Sequence, residues 1–207
     1  MGLKYNPVKI HLKRSTTLIG TSTLSKQELN QIYHSFTLAE TLSSIRNKVL
    51  FGLFIFQGIR SKEIKYINCD CVDMQNACIV IPQGNKTNER ILPLDVQQVL
   101  LMHRYLTEIR PRILGSRKSE LLIVTQKEKN NIKSILNQIY PSLKKLPLKP
   151  TLQLIRISVI KNWLAENDLR TVQYMAGHRY ISTTENYVTP NLKELKKNIE
   201  QCHPMNS

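Results

Sequence analysis

Thr151-Leu-Gln153-Leu-Ile-Arg156-Ile-Ser-Val-Ile-Lys-Asn-Trp163-Leu-Ala-Glu166 is followed, after Asn167, by Asp168-Leu-Arg-Thr-Val-Gln-Tyr-Met-Ala-Gly177-His178. Leu152, Ile155, Val159, Ile160, Trp163 and Leu164 recur at helical spacing and predict a strongly amphipathic helix to about Glu166. Asp168 is a candidate N-cap for a second helix, Leu169 to Ala176, with Gly177 placed as its C′ residue. Arg156 lies inside the apolar stripe, where a guanidinium needs a partner or an anionic ligand to offset desolvation. An ion pair with an acid elsewhere is one explanation, and an anionic substrate is the other. Gln153 projects from the same face one turn earlier and can reach the same ligand. Downstream, Ser182 and Glu185 form a possible capping box around Thr183 and Thr184, which puts Tyr187 early in a short helix. A last amphipathic helix is expected from Pro190 to about Gln201, with Leu192, Leu195 and Ile199 on one stripe.

Upstream, Ser25 and Glu28 make another candidate capping box before a helix through Leu29, Ile32 and Tyr33. A longer helix from about Leu38 to Gln57 ends in the apolar run Val49 to Phe56, whose all-round hydrophobicity predicts burial, and Gly58 stops it. A helical turn around Ser61 to Ile67 comes next. Then Ala77-Cys-Ile-Val-Ile-Pro82 and Arg90-Ile-Leu-Pro-Leu94 read as a β-hairpin turning near Gly84 to Thr87. Val99, Met102, Leu106 and Ile109 mark a helix before the breaker Pro111, and Leu121 to Val124 a short strand. Lys127 to Lys149 carries six lysines and one acid around a weak helix, a pattern that fits a solvated face or a DNA contact. The expected fold class is therefore α+β, mostly helical with a small antiparallel sheet.

The 207 residues suit one large domain, residues 25–207, behind a basic, extended leader, residues 1–24. Thirty Lys and Arg against 15 Asp and Glu leave a net charge of +15, and 41% hydrophobic content indicates a folded basic protein rather than a basic tail. Nucleic acid is the partner this charge favours. The longest apolar run is far short of a membrane span of roughly 20 residues, and no signal-peptide pattern opens the chain. Cys69, Cys71, Cys78 and Cys202 lack the C-x2-C spacing of zinc sites and read as free thiols in a reducing cytoplasm, although spacing alone allows a Cys71 to Cys78 disulfide.

Gln153-Leu-Ile-Arg156, the helix ending in Gly177-His178, and Thr183-Thr184-Glu-Asn-Tyr187 together resemble the carboxyl-terminal signature of the tyrosine recombinase, or phage integrase, family. In that family an H-x-x-R box precedes a helix ending in Gly-His, and the nucleophilic tyrosine lies nine residues after the histidine, as Tyr187 lies after His178. Gln57-Gly-Ile-Arg60-Ser-Lys-Glu-Ile64 looks like the family's first-arginine box, and Lys86 stands in the turn that carries its lysine. The departure is Gln153, where His is commonest. The resemblance is closest to integrases of mobile elements in Bacteroidetes-type bacteria, some of which share that Gln.

The resemblance implies six catalytic positions: Arg60, Lys86, Gln153, Arg156, His178 and Tyr187. Arg60 and Arg156 would clamp the scissile phosphate, Lys86 would protonate the leaving 5′ oxygen, and His178 and Gln153 would hydrogen-bond the phosphate. Gln153, unable to exchange a proton near neutral pH, would leave acid–base work to Lys86 and His178. A phenol is mostly protonated at neutral pH, so Tyr187 needs the arginine field and a base to attack. No cofactor or metal is implied. The implied partners are double-stranded DNA and further copies of the chain, four on synapsed sites and one when free, in a bacterial cytoplasm at the nucleoid.

Two other classes fit parts of the pattern. Leu169 to Tyr187 also has the outline of a helix-turn-helix, which would make a non-catalytic DNA-binding protein but leaves Arg60 and Lys86 unexplained. A type IB topoisomerase shares the chemistry without strand exchange. Family members usually carry an additional amino-terminal core-binding domain, for which this length leaves no room, so the expectation is an excised catalytic domain with residues 1–24 as its linker.

Overall fold

The computed structural model describes residues 23–36, 41–126, 132–146 and 148–188. Helix α1 (Lys26–Ser35) opens with the expected capping box: the Glu28 amide donates to Ser25 Oγ at 3.2 Å, and the Ser25 amide to Glu28 Oε2 at 2.7 Å. Such a cap contributes about 1 kcal/mol. Helix α2 (Leu42–Phe56) is N-capped by Thr41 and buried from Ile45 to Ile55. It is the helix around which the others pack, as its unbroken apolar run requires. The first residues of the longer helix expected from Leu38 fall among residues 37–40, outside the described residues. Gly58 stands just past the end of α2 in a left-handed conformation with φ +54°, and a 3-10 turn, Ile64–Tyr66, follows.

The expected hairpin forms, with β2 (Cys78–Ile81) antiparallel to β3 (Arg90–Pro93) and Ile79 opposite Leu92. A two-residue strand, β1 (Val72–Asp73), adds an edge that the sequence did not announce, giving the order β1-β2-β3. Ile79, Ile81 and Leu92 point into the core, and Arg90 takes an inward position in the same alternation.

Pro111 does not break the next helix. After α3 (Val96–Arg104) the chain makes a π-helical turn, Tyr105–Ile109, and continues as α4 (Arg110–Leu114) with Pro111 in its first turn. There the missing amide costs nothing, and the wider turn absorbs the change of hydrogen-bond register. Leu122 to Val124 is buried and Leu121 half-buried, but the segment is not a strand. Leu121 makes a single bridge to Asn68, while side chains take the carbonyls: Tyr105 Oη donates to Leu122 O at 2.9 Å and Arg46 Nη1 to Val124 O at 3.2 Å.

Helix α5 (Ile132–Lys145) buries Ile135, Leu136, Ile139 and Leu143 and leaves Lys133, Lys144 and Lys145 exposed. Helix α6 (Leu152–Glu166) is capped by Thr151, and α7 (Leu169–Ala176) by Asp168, with Gly177 left-handed at its end as expected. Rather than presenting a single apolar stripe, α6 is buried on more than one side. Ile155 and Val159 join the main core, and Ile160 packs with Val172 and Ala176 in a smaller cluster.

The chain closes, as described, with α8 (Ile181–Glu185). Cys69, Cys71 and Cys78 are free thiols. Among the described residues no helix is long and apolar enough to cross a membrane. The basic leader up to residue 22, Cys202 and the expected helix bearing Leu192, Leu195 and Ile199 lie outside the described residues.

Candidate active site

Arg156 explains why α6, α2 and α7 converge. Its guanidinium is buried, donating from Nη1 to Gly58 O and from Nη2 to Ala176 O at 2.8 Å, so it joins the end of α2 to the end of α7. Among the described residues no carboxylate pairs with it; the nearby acid, Glu63, is engaged by Arg90. Burial and then the charge of Arg60 push the Arg156 pKa down to about 10, which leaves it cationic at neutral pH.

Arg60 lies just beyond α2. Its amide donates to Glu63 Oε2 at 2.7 Å, and its buried Nε has no hydrogen-bond partner among the described residues. Arg60, Gln153, Arg156 and Tyr187 line one open cleft of about 570 Å³, with Ser61 and Tyr140 beside them. A second groove, about 400 Å³ around Trp163 and Asp95, contains none of the six candidates.

His178 is 2% exposed and fixed through backbone and ring. Its amide donates to Gln173 O at 2.9 Å, its backbone pairs with Thr87 at the hairpin tip, and Nδ1 lies 2.9 Å from Thr184 Oγ1. Nε2 is 3.4 Å from Arg156 Nη2. Burial, followed by Arg156, Arg60 and Arg90, holds the His178 pKa down to about 3. A ring so held is neutral at neutral pH.

Tyr187 is half-buried, its ring stacked on His178 with centroids 5.6 Å apart and planes 20° from parallel. It does not sit early in a helix. Helix α8 begins at Ile181, with Tyr180 at the N-cap and no side-chain cap, so the box expected from Ser182 and Glu185 does not form. Thr184 is instead turned inward to His178 and fully buried, and Tyr187 follows the helix, its amide donating to Thr184 O at 2.9 Å.

Neither His178 nor Lys86 lines the cleft, but His178 stacks on a residue that does, whereas Lys86 stands apart. It is exposed in the hairpin turn, which Gly84 and Thr87 close through their backbones, with Gly84 N 3.0 Å from Thr87 O. The base of that tip is pinned to the His178 segment through Thr87 and through the Asn88 amide, 3.0 Å from Gly177 O.

Sequence reasoning missed Glu63, Arg90, Thr184 and Tyr140 as parts of this site. Arg90 had a readable signal, since strand alternation puts it on the side of Leu92 and Ile79. Its partner is 27 residues away in another element, beyond any local pattern. Around the cleft, three guanidiniums, Arg60, Arg90 and Arg156, face one carboxylate, Glu63, and a His178 ring held neutral, an excess of two positive charges. Such a site suits an anion. Among the described residues no group of three or more His, Cys, Asp or Glu side chains could hold a metal ion.

The fold is that of DNA recombinase catalytic domains. It matches the crystal structure of XerH site-specific recombinase bound to palindromic difH substrate, a post-cleavage complex, with a TM-score of 0.69 and 22% identity over 86% of this chain and 52% of that one. The XerA recombinase matches with a TM-score of 0.66 and 21% identity over 88% of this chain and 64% of the other. The family model for the phage integrase family matches residues 22–194, and the chain belongs to that family. Among curated relatives, tyrosine recombinase XerC 2 of Ralstonia nicotianae is 24% identical over 97% of this chain and 58% of its own length. Tyrosine recombinase XerD of Staphylococcus aureus is 29% identical over 79% of this chain and 56% of its own. The chain thus spans just over half the length of these relatives.

Proposed function

We propose that this chain, from residue 25, is the catalytic domain of a site-specific tyrosine recombinase that cleaves and rejoins duplex DNA through a 3′-phosphotyrosine at Tyr187, with residues 1–24 as an interdomain linker. The observation that carries the reading is the surplus of positive charge, from buried Arg156 and half-buried Arg60, at a cleft that also holds a phenol. A phosphodiester entering there is met by Arg60 and Arg156, whose forked donors suit its nonbridging oxygens and the charge of the pentacoordinate transition state. Gln153 adds a neutral donor. Tyr187 Oη gives up its proton to water and attacks phosphorus, the bond to the 5′ oxygen breaks, and Lys86 supplies the proton that the leaving oxygen takes, recovering one from solvent afterwards. Attack by a 5′ hydroxyl reverses the sequence and rejoins the strand, since the phosphotyrosine ester conserves the bond energy.

Delivery of Lys86 requires its hairpin tip to fold toward the DNA about the base pinned by Thr87 and Asn88. A tetramer on two synapsed sites is the working assembly; among structural matches is a lambda integrase tetramer bound to a Holliday junction, with a TM-score of 0.53. The presence of Gln153 in place of His supports an integrase of a mobile element of the Bacteroidetes type, acting on DNA in the cytoplasm. Incubation with paired duplexes tiled across the DNA flanking its own gene tests the reading. Joined hybrid strands from two duplexes are expected. Binding without any strand exchange, or relaxation of supercoils alone, would contradict it.

A further inference from the structure

We propose that the Thr184 hydroxyl is a positioning partner that holds the neutral His178 ring with its proton on Nδ1 in the DNA-free chain. It turns round to hold the opposite tautomer when a phosphate oxygen enters the cleft. The proposal rests on the recombinase reading for the source of that phosphate.

The ring is held between two polar contacts, Thr184 Oγ1 at 2.9 Å from Nδ1 and Arg156 Nη2 at 3.4 Å from Nε2. A guanidinium can only donate, so Nε2 presents its lone pair to Arg156. A neutral imidazole carries one proton, which is then on Nδ1, and Thr184 accepts it. The charged and titratable groups around the ring are Arg156 from α6, Arg60 beyond α2, Arg90 from β3, Glu63 paired with Arg90, and the stacked Tyr187 phenol. With that excess of cations, burial and charge both oppose a doubly protonated ring.

A phosphate oxygen taken by Arg156 would meet a lone pair on Nε2, an unfavourable contact that becomes a hydrogen bond if Nε2 carries the proton instead. The change is neutral overall: one proton leaves Nδ1 for solvent and one arrives at Nε2. Nδ1 then needs a donor. A hydroxyl can both accept and donate, so Thr184 satisfies Nδ1 in both forms; a carbonyl could serve only the first and an apolar side chain neither. Thr184 is 0% exposed, so no water replaces it, and its carbonyl accepts from the Tyr187 amide at 2.9 Å. One residue therefore orients the histidine and anchors the segment that bears the nucleophile.

The test uses the full chain labelled with 15N-histidine, with nitrogen–proton correlation spectra and inorganic phosphate as the probe. The free parent is expected to show a bare Nε2 and a protonated, slowly exchanging Nδ1, and saturating phosphate should move the proton to Nε2. Thr184→Ser should behave like the parent, whereas Thr184→Val should lose the slow Nδ1 proton and the response to phosphate. On a nicked duplex that the parent cleaves, the Val variant should slow single-turnover cleavage by about tenfold with DNA affinity unchanged, and the Ser variant by less than about threefold. A free ring protonated on Nε2, a ring protonated on both nitrogens in phosphate, or a parent ring that ignores phosphate overturns the proposal. So does a Val variant with the parent's spectra. If the Val chain does not fold, the parent and Ser spectra decide. Expected spectra from a parent that cleaves no DNA would uphold Thr184 and remove the recombinase reading.

Discussion

Arg90 and Glu63 meet end to end beneath the cleft, with Nη1 2.8 Å from Oε1, Nη2 3.0 Å from Oε2, and both side chains withdrawn from solvent. The same carboxylate accepts from the Arg60 amide, so a single acid fixes both the first arginine and the strand behind the Lys86 turn. Burial works to raise the Glu63 pKa, but the hydrogen bonds and charge of Arg90 outweigh it and hold the carboxyl below its usual range. Glu63→Gln should cost about 3–5 kcal/mol, because it leaves a buried guanidinium unpaired, while replacing both residues by Met should cost less, about 1–3 kcal/mol, because only the Arg60 amide then lacks its acceptor. Urea unfolding separates the two; equal destabilisation by the single and double variants would contradict this account.

Gly177 is required twice over. Its φ is +65°, and a Cβ built there would lie 2.5 Å from Arg90 Nη1. Gly177→Ala should cost clearly more than the about 1–2 kcal/mol of the left-handed penalty alone and loosen the Arg90 pair. A loss in urea unfolding no larger than that penalty would show that the close approach to Arg90 does not matter.

His178 links stability to pH in a defined direction. Its pKa is lowered to about 3 when folded, against about 6.5 when unfolded. The unfolded chain therefore takes up the proton first. Stability is intact above about 6.5 and falls as pH drops from there toward 3. His178→Asn should flatten that slope in unfolding titrations between neutral and mildly acidic pH. A His178 resonance that titrates near its ordinary value would contradict the buried, cation-surrounded ring.

What the sequence revealed divides by range. Ser25 with Glu28, Thr151, and Asp168 with Gly177 close hydrogen bonds within a turn or so, and the hairpin follows from alternation around Gly84 to Thr87, so these elements were legible. Ser182 with Glu185 has the same local pattern and failed, because the residue between them that matters, Thr184, is drawn to a histidine outside the helix. Pro111 was misread because a π turn can absorb it, and Leu121 to Val124 because side chains distant in sequence satisfy its carbonyls. Of the six candidate site residues, Arg60, Gln153, Arg156 and Tyr187 share the cleft and His178 stacks against Tyr187, while Lys86 stands apart on its turn. The Glu63–Arg90 pair beneath them depends on tertiary packing alone.

Gln153 is exposed on the first turn of α6, lining the cleft with Arg156. An amide there donates without carrying charge. Gln153→Ala should slow single-turnover cleavage by roughly 10²-fold, the low end for loss of one preorganised donor, and Arg156→Ala by considerably more. Gln153→His should retain activity. An Ala variant as fast as the parent would make Gln153 a surface residue and leave the site with five groups.

The central claim is that Tyr187 becomes joined to DNA. Its most direct test is a suicide duplex nicked near the cleavage site, followed by denaturing electrophoresis and peptide mass spectrometry of any protein–DNA adduct. The account predicts an adduct on the peptide containing Tyr187, with a free 5′ hydroxyl on the released strand. It also predicts that Tyr187→Phe abolishes the adduct while DNA affinity stays nearly unchanged, since only one hydroxyl is removed. An adduct that persists in the Phe variant, or maps to another residue, would contradict it.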